Sequence, residues 1–368
     1  MNNLLRFSLL LLITFISSCS QPKTTNKVTH QEVLVRYAVD SIGFAIHDWQ
    51  MDSIIIRIKN LQTDSLKEFN NPGQHPWKVC IVPHDDYSYV GYQYLNILAG
   101  IKAKTIIMFG VAHKARIFDL EDKLIFGRFD YWQGPYRKTM VSDLRDKILD
   151  KLDESLYEVH DSMQIVEHSL EAHIPFLQYF NPEIEIVPIL VPYMSYDRMK
   201  EIAEPLASSI FNLLKENQLE LGEDVAIVIS TDAVHYGDEK WGGNNYAPYG
   251  TDEKGTSDAV NYEHEIMRNC LIGELSLNGI KKFTEYTVQD KDHRDYKWTW
   301  CGRYSVPFGL MTSLSLTELI GEVPLQGQLI GYSNSIDHAR IRVEDLGMGT
   351  TAPAYNRHWV GYASIGYK

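Results

Sequence analysis

Apolar positions along the chain fall into two rhythms. Unbroken runs rich in β-branched residues occupy 79–82 (VCIV), 104–110 (KTIIMFG), 185–191 (EIVPILV) and 224–230 (DVAIVIS), and each stops at Pro, Gly or a polar residue. Such runs predict short buried strands. Between and after them, apolar residues recur at helical spacing over 52–61, 92–99, 142–152, 196–216, 258–270, 276–286 and 307–320, with Ser142 placed to cap its helix. Two further strands, 326–333 and 360–367, close the chain. Pro188 lacks an N–H for a ladder, so the 185–191 strand is expected at an edge or a bulge. Strands separated by helices imply an α/β fold, a three-layer sandwich around a largely parallel central sheet. No Pro/Gly-rich linker divides the interior, so residues 35–368 read as one domain.

In open α/β sheets ligands collect outside the carboxyl ends of the strands. Three strands here deliver a histidine at that end. VCIV runs into Pro83, His84, Asp85, Asp86 and Tyr87; KTIIMFG is followed by His113; DVAIVIS is followed by Thr231, Asp232 and then His235. A lone histidine more often serves structure, and Asp is at home in a turn that ends a strand. Three histidines at equivalent places in one sheet point instead to a site. Imidazole suits Fe, Zn, Cu and Ni, with Asp85, Asp86 and Asp232 as ligands, orienters or bases.

Two more clusters add to this. Glu167-His168-Ser169-Leu170-Glu171-Ala172-His173 would align Glu167 with Glu171 and Ser169 with His173 if it were helical, although Pro175 follows closely. It is not a zinc-protease HExxH. Cys301, in Trp300-Cys301-Gly302-Arg303, precedes the 307–320 helix, where a helix N-terminus would lower the thiol pKa and make a soft metal ligand. The competing reading is an inert buried cysteine, as expected for Cys270. Aromatics at Trp241, Tyr246, Tyr249, Trp298 and Trp300 lie in loop-like stretches, as a cleft rim or an ordinary packed surface.

Composition narrows the class. The 368 residues are 44% hydrophobic and 23% charged, with a formal charge of −13 and no basic stripe, which argues against nucleic acid as a partner. There is no G-x-S-x-G elbow, P-loop, G-x-G-x-x-G or C-x-x-C. MNNLLRFSLLLLITFISSCSQ has the layout of an export signal, too short in its apolar part to span a bilayer. Ile16-Ser17-Ser18-Cys19 resembles a bacterial lipobox, which would make residues 1–19 a lipoprotein signal ending at a lipidated Cys19; a plain cleaved signal is the alternative. Residues 20–34 would then be a flexible tether, and the protein would be exported and lipid-anchored to a bacterial membrane. Three cysteines remain, an odd number that implies a free thiol.

PHDDYSYVG, FGVAHK, EHSLEAHIPFLQ, ISTDAVHYGD and CGRYSVPFGL together resemble the Memo family, called AmmeMemoRadiSam system protein B in prokaryotes, in order and spacing from about Val35 to the C-terminus. The resemblance implies a fold of the class III extradiol-dioxygenase type. It also implies a metal held by two histidines and a cysteine, which fall on His84, His113 and Cys301, with Asp232 and His235 as acid/base groups. Asp85, Asp86, Tyr87, Glu167, His168, His173 and Arg303 would surround them. This chain has PHDDY where the family has PHAGY, GVAHK where it has GPSHH, and Thr231 in place of a serine. The extra carboxylates could favour harder ions.

The leading functional expectation is therefore a non-haem metal oxidoreductase using one transition metal, Fe(II) first, Cu or Zn next, on a small molecule. The alternatives are a non-catalytic surface lipoprotein that binds metal or a peptide in the cleft, and a metal-dependent hydrolase.

Overall fold

A computed structural model describes residues 33–61, 76–238, 246–337 and 340–368. The expected export signal, nearly all of the expected tether and Trp241 lie outside these residues. At the near end of the described chain Leu34 is already fastened, its N–H 2.7 Å from Asp130 Oδ2.

The apolar runs pair as a sheet. Its main strands are β1 (Val79–Val82), β2 (Thr105–Val111), β3 (Glu185–Val191), β4 (Val225–Ser230), β5 (His235–Gly237), β6 (Gln326–Asn334) and β7 (His358–Tyr367). The order across the centre is β3-β2-β4-β1-β7-β6. The first four run parallel, and β7 and β6 join antiparallel. Short strands extend the sheet beyond β3, and β5 pairs with β7. The expectation of an α/β fold with a largely parallel sheet holds, and the antiparallel β7 and β6 make that sheet mixed.

Alternation along the strands loads both faces with apolar side chains, as buried parallel sheets require. Ile81, Ile107, Phe109, Val187, Ile227 and Ile229 face one core, shared with Leu206 and Ile210 of the helix Tyr196–Asn217 and Phe308 and Leu310 of the helix Ser305–Ile320. Cys80, Val82, Ile106, Met108, Ile186 and Val228 face the other, against Ile54 and Ile58 of Asp48–Leu61, Tyr94 and Leu98 of Tyr87–Leu98, and Phe176 of Ile174–Phe180.

Several boundaries differ from the sequence expectation for local reasons. The expected 92–99 helix starts at Tyr87, directly after Asp86. The 307–320 helix starts at Ser305, because a proline in the first turn forfeits no intrahelical bond. The 142–152 helix spans only Leu144–Lys151, and Ser142 Oγ lies a long 3.5 Å from the Leu144 N–H. The 258–270 helix begins at Glu253, where Asp252 accepts the Gly255 N–H at 2.7 Å. The edge or bulge expected from Pro188 is not found: β3 lies inside the sheet and keeps an unbroken register with β2. The Ser142 N–H donates to Ile186 O, so even-numbered residues of β3 face away from β2. On that side pairing passes from Thr139–Val141, which reaches Ile186, to Leu124–Phe126, which meets Leu190. Pro188 occupies the gap between them, where no donor is needed.

Register brings the strand ends level. Val82 lies opposite Ser230, and Phe109 opposite Ile229. Residues leaving β1, β2 and β4 therefore emerge along one edge of the sheet.

Candidate metal centre

His84 follows β1 by two residues and is 2% exposed. Its Nδ1 is 2.7 Å from Ser230 Oγ, and that hydroxyl donates to Ser169 O at 2.6 Å. With the hydroxyl proton already engaged, Ser230 Oγ can only accept, so His84 carries its proton on Nδ1 and keeps a lone pair on Nε2. Nε2 faces Cys301 Sγ at 3.5 Å.

His113 follows β2 by two residues and keeps 30% of its side chain exposed. Its Nδ1 is 2.8 Å from Glu167 Oε1. A carboxylate accepts only, so this ring also leaves Nε2 free, and Nε2 lies 2.9 Å from Cys301 Sγ. Among the described residues Glu167 takes four donors: the His113 ring, the His113 N–H, and the N–H groups of His168 and Ser169. Burial disfavours its charge, but His113 and these donors hold its carboxyl down at about 2.

Cys301 completes the group from the far end of the chain. Its loop is sewn to the end of β4: Cys301 N–H reaches Ala233 O, Gly302 N–H donates to Thr231 Oγ1 at 2.8 Å, and Ser305 Oγ donates to Ser230 O at 2.9 Å. Gly302 is required there, since a Cβ would sit 2.3 Å from Thr231 Oγ1 and 2.7 Å from Ser305 Oγ. The expected lowering of the thiol pKa by a helix N-terminus is not found. Cys301 precedes Ser305 by four residues, and burial pushes the thiol up while His113 opposes. On His113, burial works against the proton, but Cys301 and Glu167 outweigh it and hold the imidazole well above the usual range, so Nε2 also carries a proton that a bound ion would displace.

One ligand atom from each of His84, His113 and Cys301 lies within 4.8 Å of the others. The donor set fits a transition ion: two imidazole nitrogens with fixed tautomers and one soft sulfur. His113, Glu167 and His168 form a second such group through the shared His113.

Asp232 and His235 stand beside this set. Asp232 Oδ1 accepts the His84 N–H at 2.9 Å, and Oδ2 lies 3.5 Å from His84 Nε2. Oδ2 is 3.9 Å from His235 Nε2, an ion-pair distance too long for a hydrogen bond. Burial raises the Asp232 carboxyl to about 7 and lowers His235 to about 3.

The remaining expected residues divide. His168 packs against both ligand rings, 5.0 Å from His113 and 5.9 Å from His84 between centroids, and burial lowers it to about 4. His173 is wholly buried against Tyr94, its Nδ1 3.2 Å from Leu170 O. Tyr87 donates to Ala172 O at 2.6 Å, fastening its helix to the 167–173 segment. That segment is not one helix. The helix Asp161–Val166 ends at extended Glu167, and a 3-10 turn begins at Glu171. Glu167 and Glu171 consequently face different partners, and Glu171 binds Arg36 and the N–H groups of Val39 and Asp40.

The two aspartates of PHDDY point away from the ligand atoms. Asp85 Oδ1 accepts the Asp86 N–H at 2.6 Å and Oδ2 the Tyr362 hydroxyl at 2.7 Å. Asp86 accepts Thr351 N–H at 2.6 Å, Ala352 N–H at 2.9 Å and the Thr351 hydroxyl at 3.0 Å. Arg303 lies beside Cys301 and stacks on Tyr296, 3.4 Å from its ring centroid.

Sequence reading missed Ser169 and Ser230, which fix the His84 tautomer, and Glu263. Glu263 is wholly buried and accepts the indole N–H groups of Trp298 and Trp300 together with the Val234 N–H. One carboxylate thus holds the segments that lead to His235 and Cys301. The Trp298-Thr299-Trp300 stretch before Cys301 was its visible sign in the sequence. Both tryptophans are core residues, whereas Tyr246 joins Tyr296 and Tyr304 around a cavity of about 320 Å³ that opens on His113 and Cys301.

The chain is similar to several known proteins. A MEMO1 family protein of Thermococcus kodakarensis is 26% identical over 298 residues, 78% of this chain and 86% of the relative. MEMO1 family proteins of Sulfolobus acidocaldarius and Aquifex aeolicus are 29% and 32% identical, over 45% and 43% of this chain. Those two matches span only 56% and 54% of the relatives' own lengths. The relatives thus include archaeal proteins. The family model for the Memo-like protein matches residues 57–351, most of the chain, and the chain belongs to the Memo-like family.

Proposed function

We propose that this protein holds one transition-metal ion on His84, His113 and Cys301 and acts as a metal-dependent oxidoreductase. The observation that carries the reading is the convergence of two imidazoles, each with its proton committed to Nδ1, on a single thiol. Nitrogen and thiolate suit Fe, Cu or Zn over Mg or Ca, and the fold resemblance to class III extradiol dioxygenases inferred from the sequence puts Fe(II) first, although cysteine stands here where those enzymes use a glutamate. A redox-active ion held there would supply electron transfer to or from a bound substrate. The residues around it have separable tasks. Ser230 and Glu167 orient the ligand rings. Cys301 and His113 face the cavity where a small molecule would lie. His235 is unprotonated at neutral pH and Asp232 titrates at about 7, so the pair can accept a proton from the substrate, with Asp232 the better holder.

Elemental analysis of the anaerobically purified protein and of His84→Ala, His113→Ala and Cys301→Ser tests the site. The expected result is near-stoichiometric metal in the wild type and loss in all three variants. A wild type that stays metal-free after reconstitution, or variants that retain the ion, would refute it. The lipobox-like Ile16-Ser17-Ser18-Cys19 supports a second, separate proposal, that the protein is exported and anchored through Cys19. Cys19→Ala should move it from the membrane to the soluble fraction, and unchanged fractionation would count against the anchor.

A further inference from the structure

The cavity beside Cys301 has a charge character that the metal site does not require. It is lined by three guanidinium groups, Arg116, Arg294 and Arg303, against one carboxylate, Asp295. The chain as a whole carries −13, so this is a local reversal of sign. Arg294 is committed to Glu121, at 2.7 Å. Arg303 is not committed. It is 5% exposed, its Nη2 donates to Arg294 O at 2.8 Å, and its Nε and Nη1 are buried with no hydrogen-bond partner among the described residues. Among those residues no carboxylate lies within ion-pair distance of Arg303 or Arg116. Stacking on Tyr296 recovers part of the lost hydration of Arg303 but leaves its in-plane donors unmet.

A buried guanidinium with unused donors is costly unless an acceptor arrives. Its fork matches the two oxygens of a carboxylate or phosphate. Besides His113 and Cys301, the rest of the wall is four tyrosines with Val111, Ala112 and Val191, which suits an apolar or flat body. At about 320 Å³ the space is near the lower end for small-molecule pockets.

We propose that this cavity receives a small organic anion, its carboxylate or phosphate held by Arg303 and Arg116 and its body laid along the tyrosines toward Cys301 and His113. This assigns a substrate class to the site and rests on the metal reading above. Arg303 fixes the position of the ligand, and the neighbouring Arg116 adds charge from the cavity wall.

The test is calorimetric titration of the purified, metal-loaded full chain with benzoate, phenyl phosphate, inorganic phosphate and neutral benzamide. Metal content is measured on every sample. The expected result is binding of benzoate or phenyl phosphate but not benzamide, weakened roughly 10- to 100-fold by Arg303→Gln and by Arg116→Gln. Benzoate against phenyl phosphate tells which head group the site takes, and inorganic phosphate binding as tightly as phenyl phosphate would overturn the role given to the tyrosine wall. Arg116→Gln lies away from the ligand atoms, so it should keep its metal and its fold. The proposal fails if benzamide binds as well as the anions, if neither organic anion binds up to ~10 mM, or if both variants bind like wild type. A metal-bearing protein that takes no anion sinks this inference alone. A metal-free protein that still takes the anion through Arg303 sinks the metal reading alone.

Discussion

Replacing Glu263 by glutamine isolates one buried carboxyl that sits behind the site. Burial pushes this group from 4.5 up to about 7, although Trp298, Trp300 and Val234 all donate to it. The sign follows from linkage. Below pH 4.5 the group is protonated in both folded and unfolded chains, and its contribution is fully present. Between about 4.5 and 7 the unfolded chain ionises first, so the folded state loses stability as pH rises. Above 7 the loss is complete. A shift of 2.5 units at ~1.36 kcal/mol per unit amounts to about 3 kcal/mol. Glutamine does not titrate, so Glu263→Gln should lack this component. Its stability at any one pH also changes, because an amide cannot accept all three N–H donors, so the difference in pH slope is the quantity to read. Urea unfolding of both proteins at half-unit steps from pH 4.5 to 8 provides it. The wild type should lose about 3 kcal/mol more than the variant across that interval. Parallel curves would refute the assignment of a raised carboxyl to Glu263.

Glu167→Gln should weaken metal binding about 10- to 100-fold by loosening the His113 ring, read by competition with a chromogenic chelator; unchanged affinity would show that Glu167 does not orient the ligand. Asp86→Ala strands the N–H groups of Thr351 and Ala352 and should cost roughly 2–5 kcal/mol in urea unfolding while leaving metal stoichiometry intact; loss of metal instead would place Asp86 at the ion. Gly302→Ala forces a Cβ against Thr231 and Ser305 and should cost about 1–3 kcal/mol and lower metal occupancy together. Chelation should lower the melting temperature of the wild type but not of Cys301→Ser, since only a protein that binds the ion gains stability from it.

How much of this was legible in the chain depends on the range of the interaction. The apolar runs announced β1, β2, β3 and β4 nearly to the residue, because a strand buried on both faces must be apolar throughout. Helix starts were read less well. Tyr87–Leu98 begins inside the histidine motif, and Glu253–Cys270 begins at a cap hidden among polar residues. Pro188 shows a local rule applied correctly and answered by the sheet. The rule forbids an unmet ladder bond, and the handover between two short strands removes the need for one.

The sequence by itself determined that histidines leave three buried strands at their carboxyl ends, and that a cysteine waits before a late apolar helix. Those are consequences of strand period and of covalent order. It could not decide which atoms meet. Cys301 reaches His113 across 188 positions of chain, and only the register of β1, β2 and β4 and the stitching of Gly302 onto Thr231 bring them to 2.9 Å. Nor could it separate the carboxylates. Asp85 and Asp86 adjoin His84 in sequence yet turn to Tyr362 and Thr351, while Glu167, 54 positions from His113, holds its ring. A side chain is assigned by the donors that surround it once the backbone is packed, and those donors come from segments that no local pattern relates.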